Sequence, residues 1–344
     1  LTPTGAWCED AWLTCAMLAE ATERLKFLVA FRPGQIGPTL SAQMASTFQR
    51  QSDGRLLLNV VTGGEPAEQR AYGDFLDKDQ RYERTGEFLD IVTRLWQGET
   101  VTTTGKHLRV DKAKLSHLPD PVPDVYFGGS SKAAGPIAAR YADVYLTWGE
   151  PPAAVNDKLR WIEAEAAKQN RNPRFGIRLH TISRDTSEEA WRQAGYLMER
   201  VTDDMIAKVQ AGLAASESEG QKRMRALHES GNQRGLRDLE IHPGLWAGVG
   251  LVRGGAGTCL VGSHEEVADL IEAYAAAGVT EFILSGYPHL EEAYWFGEGV
   301  LPILERRGLW RHPAPPRNAP QTHPAFTPTH PAATQAPTDR MAAS

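Results

Sequence analysis

The sequence predicts an α/β fold with a parallel sheet under helices, and within that class a (β/α)8 TIM barrel lacking its first strand–helix unit. Three observations carry the prediction. Short, nearly continuous apolar runs recur along the chain, amphipathic stretches at helical spacing separate them, and there are too many such units for a small open sheet. A doubly wound open sheet is the alternative. The 344 residues, 41% of them hydrophobic, suffice for one large domain or two small ones.

Residues 9–22 begin with acids suited to a helix start and carry apolar residues at helical spacing. Leu25–Phe31 is an apolar run of strand length, ended by Arg32-Pro33-Gly34. Pro38 and Thr39 open a second amphipathic stretch that stops at Asp53-Gly54. Leu56–Val61 reads as a buried strand followed by Gly63-Gly64. Gln80–Gln97 reads as a long helix with Phe88, Ile91, Val92, Leu95 and Trp96 on one face. After a polar, Pro-rich connection at 98–123, strands are expected at 124–127, 143–147, 175–182, 258–261 and 281–284. Helices are expected at 151–168, 187–200, 263–277 and 289–306.

Two segments break the rhythm. Residues 203–240 are polar, contain glycine and show no strand, which predicts a helical insertion or mobile lid. Residues 311–344, rich in Pro, Ala, Thr and His, predict a disordered tail, leaving 1–310 as the barrel domain. The opening Leu1-Thr-Pro-Thr-Gly5 has no Met and runs an apolar stub into a turn, as a strand cut in its middle would.

Composition excludes several classes. With 37 Lys+Arg against 43 Asp+Glu, the chain lacks the basic balance of a general nucleic-acid binder. No run of about 18 apolar residues predicts a membrane span, and no secretory signal is visible. Cys8, Cys15 and Cys259 form neither a disulfide framework nor a metal-ligand spacing, so a cytoplasmic protein is expected.

Polar residues gather just after the apolar strands, at the end where barrel active sites are built. They include Cys8, Arg32, Asn59, Thr62, Trp148, Arg178, His180 and Tyr287. Phe127-Gly128-Gly129-Ser130-Ser131 leads into a helix expected at 132–140 and offers N–H groups and hydroxyls to a phosphate; an ordinary serine cap is the bland alternative. Arg178 and His180 lie two apart in one strand and share a face, which is costly inside a barrel without partners or a task. Arg253 sits in the glycine-rich run Leu251-Val-Arg-Gly-Gly-Ala-Gly257, where it can move onto an anion or simply be a solvated linker residue. The run is neither a dinucleotide fingerprint nor a P-loop. Tyr287 can donate a proton at the mouth and Trp148 can wall a ligand, or both can be packing residues. His264-Glu265-Glu266 lacks the second histidine of a zinc protease, and Glu291-Glu292 point to different helix faces.

Several of these strings resemble one family, the reduced-FMN-dependent alkanesulfonate monooxygenases of the bacterial luciferase superfamily. The matching runs include Cys8-Glu-Asp-Ala-Trp12, Arg24–Ala30, Asn59-Val-Val-Thr-Gly63, Tyr126-Phe-Gly-Gly-Ser-Ser131 and Tyr145-Leu-Thr-Trp-Gly-Glu-Pro151. Further runs are Phe175-Gly-Ile-Arg-Leu-His180, Leu245–Thr258 and Leu284–Ala293, so the resemblance covers roughly 1–308.

The resemblance implies a barrel with an insertion that closes over the site. It implies reduced FMN delivered by a separate NAD(P)H-dependent FMN reductase, and molecular oxygen as co-substrate. An alkanesulfonate would then be cleaved at its C–S bond to an aldehyde and sulfite for sulfur acquisition. Matched by position, the family's active-site residues fall on Cys8, Trp148, Arg178, His180, Arg253 and Tyr287. Ser130 and Ser131, with Gly129, Thr62 and Asn59, are the candidates for the flavin. His180 is expected to move a proton near neutral pH. The family also suggests a homo-oligomer, and it places a strand, a helix and most of a second strand ahead of the position matching Leu1. The competing readings are a sibling monooxygenase of another sulfur compound or a chelator, and a flavin-binding chain without turnover. A flavin-free hydrolase lacks a carboxylate pair or metal set.

Overall fold

The computed structural model describes residues 9–229 and 235–313. Helix α1 (Ala11–Glu20) leads into β1 (Phe27–Phe31), followed by α2 (Pro38–Ser52), β2 (Leu56–Val60), α3 (Pro66–Ala71) and α4 (Lys78–Trp96). A hairpin of β3 (Val101–Thr104) and β4 (Arg109–Ala113) precedes β5 (Val125–Gly128), α5 (Ala134–Tyr141), β6 (Val144–Trp148), α6 (Pro152–Ala167) and β7 (Arg174–Arg184). Next come α7 (Ser187–Met198), α8 (Asp203–Ala214), α9 (Glu219–Glu229), β8 (Glu240–His242), β9 (Leu245–Trp246) and α10 (Val249–Val252). The last elements are β10 (Cys259–Ser263), α11 (His264–Ala276), β11 (Glu281–Ser285), α12 (His289–Trp295) and α13 (Leu301–Arg306).

Local chemistry explains where these boundaries depart from expectation. Helix α4 starts at Lys78 rather than Gln80 because Asp77 and Gln80 form a reciprocal capping box at 2.9 and 3.0 Å. The helix expected over 289–306 is interrupted by a π turn at Phe296–Val300, just before Pro302, which has no N–H to return to the preceding turn. The connection at 98–123 contains the β3–β4 hairpin. The Glu87 carboxylate holds its tip by accepting the N–H groups of Lys106, His107 and Leu108 at 2.8, 3.0 and 2.8 Å.

Strands β1, β2, β5, β6, β7, β10 and β11 pair in parallel, the short β9 adds antiparallel to β10, and β8 adds antiparallel to β9. Among the described residues the sheet stays open, as expected of a barrel that lacks its first strand. Among the described residues β1 pairs only with β2 and β11 only with β7, and nothing joins the hydrogen-bonding groups of those two edges. A regular barrel would also seat β10 between β7 and β11. Instead β11 pairs with Gly176–His180 of β7, while the opposite edge of β7 is shared by β6, along Arg174–Arg178, and β10, along His180–Arg184. The eleven residues of β7 make room for all three, and β10 and β11 meet at His180.

The two sheet faces differ in their cover. Phe27, Val29, Phe31, Leu56, Leu58, Val60, Phe127, Ile177 and Leu179 are buried against helices, including the Phe88, Leu89, Ile91, Val92 and Leu95 face of α4. Each such side chain contributes about 1.5–3 kcal/mol of apolar burial. The alternate residues Leu28, Ala30, Leu57 and Asn59 are half-buried. A second core of Ile182, Trp191, Trp246, Val249, Cys259 and Val261 fixes the far half of β7 and β10 against α7. Among the described residues no helix is long and apolar enough to cross a membrane.

Candidate active site

Register assembles the first cluster. Trp148 of β6 stands beside Arg178 of β7, and Ser285 of β11 beside His180, so all four occupy the less covered face at the strands' carboxyl ends. The turn after β11 lays the Tyr287 ring on the His180 imidazole, with centroids 5.5 Å apart and 21° between planes. Arg253, just after α10, folds over the same imidazole, with Nη1 3.5 Å from Nε2 and 3.4 Å from the Ala256 carbonyl oxygen.

His180 is 1% exposed, and its hydrogen bonds fix its proton. Nε2 lies 3.1 Å from the Ala256 carbonyl, which can only accept, so Nε2 carries the hydrogen and Nδ1 faces the Ser285 hydroxyl at 3.1 Å. Burial, reinforced by the Arg253 and Arg178 charges, depresses the imidazole to about 3. The expectation that His180 exchanges a proton near neutral pH is therefore corrected: in this pocket it is a neutral hydrogen-bond donor. Burial and the Arg253 charge also lower Arg178, whose Nε is enclosed without a hydrogen-bond partner among the described residues. Among the described residues no carboxylate pairs with Arg178 or Arg253. Two cations held together this way are costly until an anion joins them.

The second cluster lies after β2 and β5. Helix α5 begins at Ala134, not at Lys132 as expected, and its N-cap is Ala133 with no side-chain hydrogen bond. Ser131 is thus not a helix cap; its carbonyl accepts from Ala134 N–H at 3.0 Å in the turn before the helix. Its Oγ is buried, as is Thr62 Oγ1 after β2, and among the described residues neither makes a hydrogen bond of ordinary geometry. Gly129 is pressed between neighbours, since a Cβ there would lie 2.6 Å from Ala134 Cβ and 3.2 Å from the Tyr82 hydroxyl. Burial raises that phenol, which approaches Ser131. Tyr145 holds the strand end by donating to the Gly129 carbonyl at 2.7 Å. Asn59 shares the open face through its register with Tyr126.

The segment 203–240 bridges the two clusters. Thr202 caps α8, accepting from Met205 N–H at 3.3 Å, and Asp203 and Asp204 favour its first turn. Glu217 donates its N–H to the Gly64 carbonyl at 3.1 Å and pairs with Arg81 at 2.8 Å. Helix α9 covers Trp148 closely enough that a Cβ at Gly220 would lie 3.0 Å from the indole. Arg223 reaches Glu150 at 2.6 Å. Residues 230–234 lie outside the described residues.

Several functional contacts were not legible in advance. Lys158 sits on the buried stripe of α6 with Val155, Leu159, Ile162 and Ala166, hydrogen-bonded to Glu150 and, at 3.0 Å, to Thr147 Oγ1. A lysine at a core position of a helical stripe is the signal that could have revealed it. Tyr82, Gln210 and Gln221 carry no such signal. Cys8 and residues 314–344 of the expected tail lie outside the described residues.

An α/β protein with an open, mostly parallel sheet and its polar clusters at the strands' carboxyl ends is a class of enzyme scaffold. Within it, the chain belongs to the luciferase-like monooxygenase family, whose model matches residues 1–281. Its fold is similar to that of riboflavin lyase RcaE, solved with modified FMN and riboflavin, at 21% identity and TM-score 0.73 over 88% of this chain and 74% of that one. Long-chain alkane monooxygenase LadA is similar at 22% identity and TM-score 0.71, over 89% and 75%. EDTA monooxygenase EmoA from Chelativorans sp. BNC1 is similar at 20% and 0.66, over 89% and 80%. At these identities the structural likeness speaks for the fold.

Proposed function

We propose that the chain is the oxygenase of a two-component system that desulfonates alkanesulfonates with reduced FMN and oxygen. The observation that carries this reading is the pair Arg178 and Arg253, unpaired with any carboxylate among the described residues: Arg178 lies two residues from His180 on one face of β7, and Arg253 lies over that imidazole. A sulfonate presents three acceptor oxygens and one negative charge, which suits two guanidinium forks. Each charge-assisted hydrogen bond contributes about 1.5–3 kcal/mol.

The second cluster fits the flavin's phosphate. Two enclosed hydroxyls without hydrogen-bond partners of ordinary geometry among the described residues, Ser131 and Thr62, are what a phosphate needs. Ser130, Gly129 and Asn59 complete that reading. When bound, reduced FMN supplies the two electrons that activate oxygen. In the overall balance, one oxygen atom enters the aldehyde, the other leaves as water, and the C–S bond breaks to release sulfite.

This chain's own residues orient and shield. Arg178 and Arg253 hold the sulfonate, His180 anchors the Ala256 carbonyl of the Arg253 loop through Nε2–H, and Tyr287 keeps the imidazole in place by stacking. The α8–α9 segment, seated on Trp148, excludes water from the strand ends. A separate NAD(P)H-dependent FMN reductase supplies the reduced flavin, and the active form is a homo-oligomer. The test is sulfite release from linear alkanesulfonates under air, with reduced FMN fed by a reductase. Sulfite in proportion to flavin oxidised is expected; flavin oxidation without sulfite from any sulfonate would refute the reading.

A further inference from the structure

Two glutamines of the insertion bracket the Arg253 loop from opposite sides. Gln210 of α8 donates through Nε2 to the carbonyls of Gly250 and Leu251, both at 2.9 Å, just before Arg253. Gln221 of α9, which is buried, accepts the Gly255 N–H through Oε1 at 2.8 Å, just after it. Gly255 has a φ of 88°, so this stretch has backbone freedom that ordinary residues lack. Within the loop the described contacts of Arg253 Nη1 are the carbonyls of Gly254 and Ala256 and the His180 ring. The neighbouring turn of α9 is itself seated, through Gly220 on Trp148 and Arg223 on Glu150.

We infer that Gln210 and Gln221 are positioning residues that carry Arg253 to His180 only when the α8–α9 segment is seated on the strand ends. The physical reason is that a glycine-rich loop loses much conformational freedom when it orders, and two amide clamps from a seated helix pair offset that cost. Anion affinity is thereby tied to coverage of the site, because the arginine that binds the sulfonate is held by the segment that shields it. This rests on the anion-binding reading of Arg253.

The test compares Gln221→Leu, which keeps shape and loses the acceptor, with Gln221→Glu, which keeps an acceptor oxygen. Hydrogen exchange in peptides spanning 249–258 should be roughly tenfold faster in Gln221→Leu and near wild type in Gln221→Glu, with β7 peptides unchanged in both. The KM for 1-octanesulfonate should rise about tenfold in Gln221→Leu, with the rate of flavin oxidation nearly constant. Wild-type exchange and KM in Gln221→Leu would overturn the clamp, as would a KM rise without faster exchange. If the wild-type chain makes no sulfite, the proposed reaction fails, and the exchange comparison still decides the clamp.

Discussion

The two strand-end clusters are built on opposite principles. The corner after β2 and β5 is neutral and largely local: Gly129, Ser130 and Ser131 are consecutive, and its enclosed hydroxyls lack partners of ordinary geometry among the described residues. The mouth around β7 is charged and non-local, drawing Trp148, Arg178, His180, Arg253 and Tyr287 from four separate stretches. Hydroxyls and backbone N–H groups are inexpensive to leave waiting, since each unmade hydrogen bond costs a modest 1–3 kcal/mol or so. Two half-desolvated guanidinium groups are not, and they require a scaffold that forces them together. On the proposed function, the difference separates a place that holds one end of a cofactor from a place that concentrates charge for chemistry.

The largest expected effect comes from removing the charge. Arg178→Ala and Arg253→Ala should each lower kcat/KM for an alkanesulfonate by about 100-fold or more, a loss of roughly 3 kcal/mol of transition-state binding. Arg253→Ala should in addition oxidise flavin and release hydrogen peroxide without sulfite, read by paired sulfite and peroxide assays. Unchanged coupling in that variant would erase the distinction between mouth and corner.

Filling the corner should act on flavin alone. Gly129→Val places side-chain atoms where even a Cβ would sit 2.6 Å from Ala134, so reduced-FMN affinity should fall at least tenfold or so while sulfonate binding persists. Flavin and sulfonate titrations on the same variant decide whether the clusters are independent.

The charged mouth should also leave a mark on stability. His180 is depressed to about 3 in the fold, against about 6.5 for an unfolded histidine. The unfolded chain therefore binds a proton that the folded chain refuses across that window. Stability from this group is complete above pH 6.5 and is lost as pH falls towards 3, by at most about 1.4 kcal/mol per pH unit. Thermal melts of wild type and His180→Gln at pH 7 and pH 5 should show the smaller acid loss in the variant. Equal acid losses would mean that the imidazole is not held neutral.

The smallest effect is expected from Ser131→Ala. A hydroxyl's hydrogen bond to an ionised phosphate is worth about 1.5 kcal/mol at the low end, so reduced FMN should bind about tenfold more weakly, with kcat nearly kept. A loss as large as that of the arginine variants would show that the corner takes part in the chemistry.

Much of the scaffold was legible because its signals are local. The apolar runs at Leu56–Val60 and Val144–Trp148 lie within a residue or so of the expected strands, since buried parallel strands need continuous hydrophobicity. The pairing of Arg178 with His180 on one face followed from the two-residue period of a strand. The β3–β4 hairpin was not legible, because its tip depends on the Glu87 carboxylate of a helix earlier in the chain. Nor was the start of α5, where the turn through Ser131 displaced the serine cap.

The sequence by itself determined the alternation of strands and helices, the run Gly129-Ser130-Ser131, the Arg178–His180 spacing and the glycine-rich setting of Arg253, all properties of neighbouring residues. Tertiary structure alone decided that β6 and β10 share one edge of β7 and that β10 and β11 meet at His180. It also decided that this histidine is neutral and that glutamines of the insertion hold the arginine loop. The reason is physical: periodicity and turn chemistry act over a few residues, whereas desolvation, the field of a distant arginine and the choice of strand partner exist only once remote segments are packed together.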